Sequence, residues 1–141
     1  MKGKVFLDTN VFVYTQSASE EEKRKISLSV LEKYDCCAST QVLCEFCNVT
    51  LKKLKMRIED VRQIVNAIND SCDILLIDFE TLQKALSIKE RYGFSFYDSV
   101  VLASAVLGDC AYVFSEDLQD GQVIDGNLEI VNIFARKNFE I

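Results

Sequence analysis

The sequence predicts an α/β protein, a three-layer α/β/α sandwich built on a central, mainly parallel sheet of five strands. Three observations point there. Short apolar runs alternate with longer stretches whose apolar residues recur every three or four positions, so strands alternate with helices. That alternation specifies parallel strands joined by helical crossovers, with helices on both faces of the sheet. The 141-residue chain has no proline, no low-complexity tract and no internal repeat, so a single domain over residues 1–141 is expected.

Each element has its own signal. Lys4-Val5-Phe6-Leu7 is a short apolar run ending at Asp8 and reads as a buried strand. A short helix is expected from Val11. Ser19-Glu20-Glu21-Glu22 has capping-box spacing, with acids where the first helical turn would lie, and opens a helix to about Lys33. Cys36–Ser39 is a second strand. Thr40 to about Lys55 is a helix with Val42, Phe46, Val49 and Thr50 on one stripe. Ile58–Asn69 is another, with Val61, Ile64, Val65 and Ile68 spaced by three and four. Asp73–Asp78 is a third strand with an acid at each end. Phe79 to about Tyr92 is a helix that Gly93 terminates. Ser95 caps a helix running to Gly108. Ala111–Phe114 and Leu128–Val131 complete the strands.

Composition removes several function classes. A hydrophobic fraction of 49% with 27% charged residues is that of a folded globular chain, which excludes extended disorder. Only Val5, Phe6 and Leu7 stand between the N-terminal lysines and Asp8, too few for a signal-peptide core. The most apolar stretch, Ser99–Leu107, is about half the ~18 residues that span a bilayer. A cytoplasmic protein with no membrane contact is therefore expected. In that compartment the six cysteines are expected as reduced, small packing residues; Cys44 and Cys47 form the one CxxC and lack a second well-spaced pair for zinc. A net charge of −6 argues against nonspecific nucleic-acid binding over the whole surface. It leaves room for a local basic contact, and Lys52-Lys53-Leu54-Lys55-Met56-Arg57, two turns beyond Glu45, is the candidate for a backbone-phosphate contact. Lys23-Arg24-Lys25 reads better as a solvated helix face.

Four acids carry the chemistry. Asp8 and Asp117 follow the first and fourth strands, which places both on the carboxyl rim of a parallel sheet, where ligands bind. Asp98 lies on a helix, Phe96–Leu107, that is apolar almost all round and therefore buried. Glu45 lies one turn from Val42 and one from Val49, at the border of its apolar stripe. Each has a plainer reading as well. Asp8 fits a helix cap, and Ser95-x-x-Asp98 fits an N-terminal box. Asp78 also ends an apolar strand, but it directly precedes Phe79 and Glu80 at a helix start, so a cap accounts for it. Carboxylates beside apolar segments are costly without a positive partner, and the chain has no histidine. A divalent cation is the simplest partner, and such a cluster suggests phosphodiester cleavage by metal and carboxylate. Histidine-based, metal-free ribonuclease chemistry is excluded.

The segments FLDTNVFVY (6–14), STQVLCEF (39–46), FSFYDSVVLASA (94–105) and FSEDLQDGQ (114–122), in this order and spacing, resemble the PIN (PilT N-terminus) domain ribonucleases. More narrowly the chain is similar to the VapC toxins of bacterial toxin–antitoxin pairs, over essentially its whole length. It departs at Ile133, where many such toxins carry proline. The resemblance implies a PIN-like fold and RNA cleavage with Mg2+ or Mn2+. It assigns the catalytic and metal-binding acids to Asp8, Glu45, Asp98 and Asp117; Asp120, one turn later in the same loop, is a candidate to replace or assist Asp117. Thr9, Asn10 and Ser115 sit beside these acids, where their expected work is to orient the carboxylates or metal-bound water. The resemblance also implies a homodimer blocked by a cognate antitoxin protein. Asn10–Tyr14 together with Val42, Phe46 and Val49 is the expected apolar groove for that partner, if those side chains are not core. Two other readings stand beside it: a catalytically silent PIN-fold binding module, and a receiver-like domain phosphorylated on aspartate. A DNA-directed nuclease of the same fold is a third.

Overall fold

The computed structural model describes residues 3–136 and Phe139. In chain order the elements are β1 (Val5–Leu7), α1 (Thr9–Tyr14), α2 (Glu21–Lys33), β2 (Cys36–Ser39), α3 (Thr40–Lys52), α4 (Ile58–Ser71), β3 (Asp73–Leu75), α5 (Phe79–Tyr92), α6 (Phe96–Leu107), β4 (Tyr112–Phe114), β5 (Val123–Ile124) and β6 (Leu128–Val131). The architecture is the expected α/β one, with a mainly parallel sheet flanked by helices. Its sheet has six strands in the order β3-β2-β1-β4-β6-β5. The strand without a sequence signal is β5. It is two residues long and pairs antiparallel with β6, through Val123 opposite Glu129 and Ile124 opposite Leu128. A two-residue strand has no period to read.

Local capping chemistry sets most of the boundaries. Asp78 accepts from the Thr81 amide at 3.0 Å and the Thr81 hydroxyl oxygen accepts from the Asp78 amide at 3.3 Å, a reciprocal box that opens α5. Gly93 closes the same helix at φ 81°, a left-handed turn that side chains other than glycine resist. Ser95 caps α6 by accepting from the Asp98 amide. The box expected at Ser19 does not form. The residue at the helix start is Glu20, which makes no side-chain cap bond, although Glu21 and Glu22 do occupy the first turn. At α1 the helix begins at Thr9 rather than Val11, because Asp8 itself is the cap. Strand β3 ends at Leu75, short of the run to Asp78. Leu76 and Ile77 leave the sheet and are 73% and 37% exposed.

Strand order positions the site. β1 pairs in parallel with β2 on one side and β4 on the other. The chain therefore winds from β1 out to β3 and then returns to β4 across the sheet. Right-handed crossovers running in opposite directions put the two sets of helices on opposite faces. They also make the gap between the ends of β1 and β4 the point where winding reverses, the crevice in which such sheets bind ligands. Beneath it Phe6, Leu7, Val113, Phe114 and Ile130 are fully buried, so the strand ends there are rigidly held. Among the described residues no helix is long and apolar enough to cross a membrane. All six cysteines are free thiols, and Cys36, Cys37, Cys72 and Cys110 are buried in packing.

Candidate active site

Asp8, Glu45, Asp98 and Asp117 line one cavity of about 240 Å3 at that crevice, together with Thr9, Asn10, Gln41, Asn48, Tyr97 and Val101. They come from four places: the end of β1, helix α3, the first turn of α6, and the loop after β4. A roomier cleft of about 490 Å3 lies between α2 and the C-terminal segment, lined by Ile26, Val30, Tyr34 and Phe134 among others. Among the described residues its only acid is Glu22, so chemistry rather than size selects the smaller cavity.

Asp8 is the most enclosed of the four, with 8% of its surface exposed. Its Oδ1 accepts from the Thr9 amide at 2.8 Å and its Oδ2 from the Ser115 hydroxyl at 2.9 Å. Hydrogen bonds to a charged group contribute only about 2 kcal/mol each, and stripping water from a carboxylate costs several. Burial therefore wins. It lifts the Asp8 carboxyl above its ordinary value, the two hydrogen bonds oppose the shift, and the charges of Glu45 and Asp117 add to it. A buried acid repelled by two neighbouring acids is a site short of positive charge.

The other carboxylates are also held by hydrogen bonds. The Thr9 hydroxyl donates to Glu45 Oε2 at 2.8 Å, and Gln41 Nε2 donates to Glu45 Oε1 at 3.0 Å. Asn10 Nδ2 donates to Asp117 Oδ2 at 2.9 Å. The Ser115 hydroxyl, already bonded to Asp8, accepts from the Asp117 and Leu118 amides at 3.2 and 3.3 Å. So Asn10 touches one of the four acids, Asp117, while Thr9 bonds both Asp8 and Glu45 and Ser115 bonds both Asp8 and the Asp117 amide. Among the described residues none donates to the Asp98 side chain. Asp98 follows Ser95 as expected, and its amide rather than its carboxylate makes the cap bond.

Asp120 does not join the cavity. Its carboxylate accepts from the Asn132 amide at 2.8 Å and pairs with Arg136 at 3.0 Å. Those bonds hold its pKa below the ordinary value and tie the loop to the end of β6. It is a loop anchor, not a stand-in for Asp117. Glu116 is a second anchor, and the sequence carried no signal for it. It accepts from the Tyr14 hydroxyl at 2.6 Å and pairs with Lys23 at 2.7 Å. Burial works against its ionisation, but the bonds from Lys23 and Tyr14 outweigh that and leave its pKa below the ordinary value. Lys23 thereby departs from the solvated-face reading of that cluster, being half-buried and engaged in structure, whereas Lys25 pairs with Glu21 on an exposed face as expected. Helix α3 ends at Lys52, seven residues beyond Glu45 and on the same face, a rise of about 10 Å. Lys52, Lys53, Lys55 and Arg57 are exposed.

The expected apolar groove beside Glu45 is absent. Val42 and Phe46 are wholly buried, as are Val11 and Phe12, with the Phe12 and Phe46 rings edge to face at 6.5 Å. Their stripe faces the core because α1 packs on α3, which leaves Glu45, Asn48 and Val49 at the cavity. Gln41, Asn48 and Tyr97 are the polar or aromatic site residues that sequence reasoning passed over. The only available signal was spacing: Gln41 is four residues before Glu45, and Tyr97 adjoins Asp98.

Among the described residues no three carboxylate or thiol side chains are gathered tightly enough to form a ready-made metal centre. The donor set is nevertheless all oxygen and acidic, the chemistry that suits magnesium or manganese rather than zinc.

Comparison with known proteins bears on the family and the fold. The PIN domain family model matches residues 5–120. No curated protein sequence matches the chain. Several solved structures share its fold. A toxin–antitoxin complex from Klebsiella pneumoniae superposes with a TM-score of 0.68 at 19% identity, covering 92% of this chain and 97% of that one. VapC20 of Mycobacterium tuberculosis, described as a sarcin–ricin loop cleaving toxin, gives 0.66 at 13% identity, covering 80% and 91%. VapBC2 of Rickettsia felis, solved with a DNA fragment from its promoter, gives 0.61 at 14% identity, covering 90% and 98%.

Proposed function

This chain belongs to the PIN domain family, and from that premise we propose that it is a metal-dependent endoribonuclease serving as the toxin of a toxin–antitoxin pair. The observation that carries the proposal is one cavity, at the reversal point of a parallel sheet, lined by four carboxylates from four separate elements. The toxin reading is supported by similar structures described as a toxin–antitoxin complex and as a sarcin–ricin loop cleaving toxin. The receiver-like reading gives way to the family match.

Asp8, Glu45, Asp98 and Asp117 are the residues that would hold Mg2+ or Mn2+. When bound there, such a cation offsets charge developing on the phosphate and makes water a better nucleophile at neutral pH. The chain's own groups do the rest. Thr9 and Ser115 fix both oxygens of Asp8, Thr9 and Gln41 fix both oxygens of Glu45, and Asn10 fixes Asp117. Orientation set in advance lowers the cost of reaching the reactive geometry. Asp98, with no side-chain donor upon it, is the carboxylate free to accept a proton from the attacking water. Lys52 and Lys53, beyond Glu45 on α3, contact the RNA backbone, so binding weakens as salt rises.

A substrate panel tests the activity. The purified chain with magnesium or manganese is expected to cut one or more structured or single-stranded RNAs and to leave DNA of the same sequence intact. Cleavage of DNA alone points to the DNA-directed alternative, and failure to cut any nucleic acid points to a silent module.

Two surfaces suit the protein partners. Phe79, Leu82 and Leu86, at helical spacing on α5, are 71%, 38% and 49% exposed, and Leu76 beside them is 73% exposed. Apolar exposure on that scale marks a contact surface, and a second copy of the chain is the proposed occupant. Antiparallel packing of two α5 helices would set Glu80 at one helix start near Lys89 and Arg91 at the other's end. With Val42 and Phe46 buried, the antitoxin peptide is assigned instead to the apolar cleft of about 440 Å3 between α2 and α4, lined by Leu28, Leu31, Ile64 and Ile68. The chain is expected to sediment as a dimer and Leu86→Glu as a monomer. The product of the adjacent gene is expected to inhibit the wild type and to bind Leu28→Glu at least about tenfold more weakly. A monomeric wild type, or one that no neighbouring product binds, removes the corresponding partner.

A further inference from the structure

We propose that Glu116 positions the cation site from outside it: the Tyr14 hydroxyl and the Lys23 ammonium hold its carboxylate, and that hold sets where the neighbouring Asp117 stands in the cavity. Glu116, Tyr14 and Lys23 are positioning residues, acting through Asp117. Their role rests on the metal-dependent reading given above and deepens it.

Asp117 is the acid that regular structure supports least. Asp8 caps α1, Glu45 lies within α3 and Asp98 within the first turn of α6, whereas residues 115–119 belong to neither helix nor strand. Among the described residues, 116–118 make no hydrogen bond from backbone to backbone. The Asp117 amide donates to the Ser115 hydroxyl at 3.2 Å, and its carboxylate accepts from Asn10 at 2.9 Å. A segment with so few backbone ties takes its place from its side chains.

Glu116 supplies the missing tie. Its Oε1 accepts from the Tyr14 hydroxyl at 2.6 Å and its Oε2 from Lys23 Nζ at 2.7 Å, while Lys23 also donates to the Tyr14 hydroxyl at 3.3 Å. The three groups close a ring. The Lys23 ammonium lies 4.9 Å from the centre of the Tyr14 ring and 5.9 Å from that of Phe134, and those two rings meet edge to face at 5.0 Å. The Lys23 and Glu116 side chains are only 34% and 24% exposed, so this is not the freely solvated ion pair that contributes nothing measurable. The arrangement also has a direction. Asn10 and Tyr14 stand four residues apart on α1, neighbours on one helix face, and they bond the consecutive acids Asp117 and Glu116. Asp8 caps that same helix. One short helix therefore sets the spacing between Asp8 at its start and Asp117 in the facing loop. Partners outside a metal's own ligands commonly change its affinity by about ten- to a hundredfold.

Charge separates positioning from simple attraction. If Glu116 acted on the cation only as a nearby negative charge, removing the positive charge of Lys23 would tighten cation binding, and Tyr14→Phe would leave it unchanged. Positioning predicts that both weaken it. The measurement is calorimetric titration of the whole chain with manganese in the absence of RNA. It is read beside the magnesium half-saturation of RNA cleavage and the thermal midpoint in chelator. Lys23→Met and Tyr14→Phe should each raise the manganese dissociation constant severalfold and the double variant about tenfold, with kcat at saturating metal within a few-fold of wild type. Adding Glu116→Gln to the double variant should cost little more, because the carboxylate is already released. Thr81→Val breaks the α5 cap, where Thr81 bonds only Asp78, and should lower the midpoint in chelator without changing the dissociation constant. If Lys23→Met tightens manganese binding, Glu116 works by charge alone and the proposal falls. If neither single variant nor the double one changes the dissociation constant, whatever happens to the midpoint, Glu116 is a loop anchor and nothing more. A kcat that collapses at saturating metal while affinity holds also overturns the positioning role. A wild type that binds no manganese overturns the metal-dependent reading itself. One that binds it, with this pattern among the variants, but cuts no nucleic acid overturns the nuclease and keeps the positioning role.

Discussion

Asp98→Asn and Asp8→Asn should each lower RNA cleavage by at least about a hundredfold. Changes to groups that merely orient a metal site already cost ten- to a hundredfold, and these two side chains lie inside the cavity itself. Neither variant should unfold. Asp98 anchors α6 through its amide, which asparagine retains. Asp8→Asn should raise the thermal midpoint of the metal-free protein at pH 7, because burial and the charges of Glu45 and Asp117 oppose its ionisation in the folded state. The sign can be followed with pH. The folded pKa of Asp8 lies above its unfolded one, so its ionisation costs stability. That cost is absent below the unfolded pKa, where the group is protonated in both states. It develops as pH rises through the folded pKa and is constant beyond. The midpoint difference between variant and wild type should therefore be present at pH 7 and shrink toward zero by about pH 3. Near-wild-type cleavage by both variants would show that the chemistry lies elsewhere. A midpoint gain that persists unchanged in acid would show that Asp8 is not the strained group.

Chelation should abolish cleavage, and magnesium or manganese should restore it where zinc does not. An oxygen-only donor set with no histidine and no thiol at the cavity is matched to hard cations. A second reading is independent of turnover. A ligand that binds only the folded protein stabilises it by about 2.7 kcal/mol at a hundred times its dissociation constant, roughly 9 °C in midpoint for a chain of this size. The wild type should show a rise of that order with added magnesium or manganese. Asp98→Asn should show less, because a ligand has been removed. Undiminished cleavage in excess chelator would overturn the metal-dependent mechanism. A midpoint that ignores both cations would show that the four acids do not hold one.

The elements themselves were legible because their signals are local. Cys36–Ser39, Phe79–Tyr92 and Phe96–Leu107 begin and end where the sequence places them, since Ser39, Asp78 and Ser95 cap the amides just after them and Gly93 supplies the left-handed stop. The shift at Ser19 is instructive. Capping spacing is satisfied there in sequence, yet the chain enters α2 one residue later and the hydroxyl makes no cap. Spacing permits a cap, but only the path of the preceding loop decides whether it forms.

What the sequence by itself determined was the alternation of strands and helices, the position of each acid at a strand end or on an apolar helix, and through these the fold class. Periodicity, caps and turn residues act within one or two turns of chain, so they can be read without knowing what lies opposite. What only the tertiary structure decided was adjacency. The placing of β1 beside β4, with Ser115 within 2.9 Å of Asp8 across a separation of 107 residues, depends on how the crossovers wind. So does the pairing of the two-residue β5 with β6, and the diversion of Asp120 to Arg136. Burial was decided in the same way. Val42 and Phe46 could face a peptide or the core, and the packing of α1 on α3 sends them to the core, leaving Glu45, Gln41 and Tyr97 to shape the cavity. The physical reason is that hydrogen bonds and desolvation act over a few ångströms of space whatever the distance along the chain, so partners contributed by remote segments leave no mark on the local pattern of either.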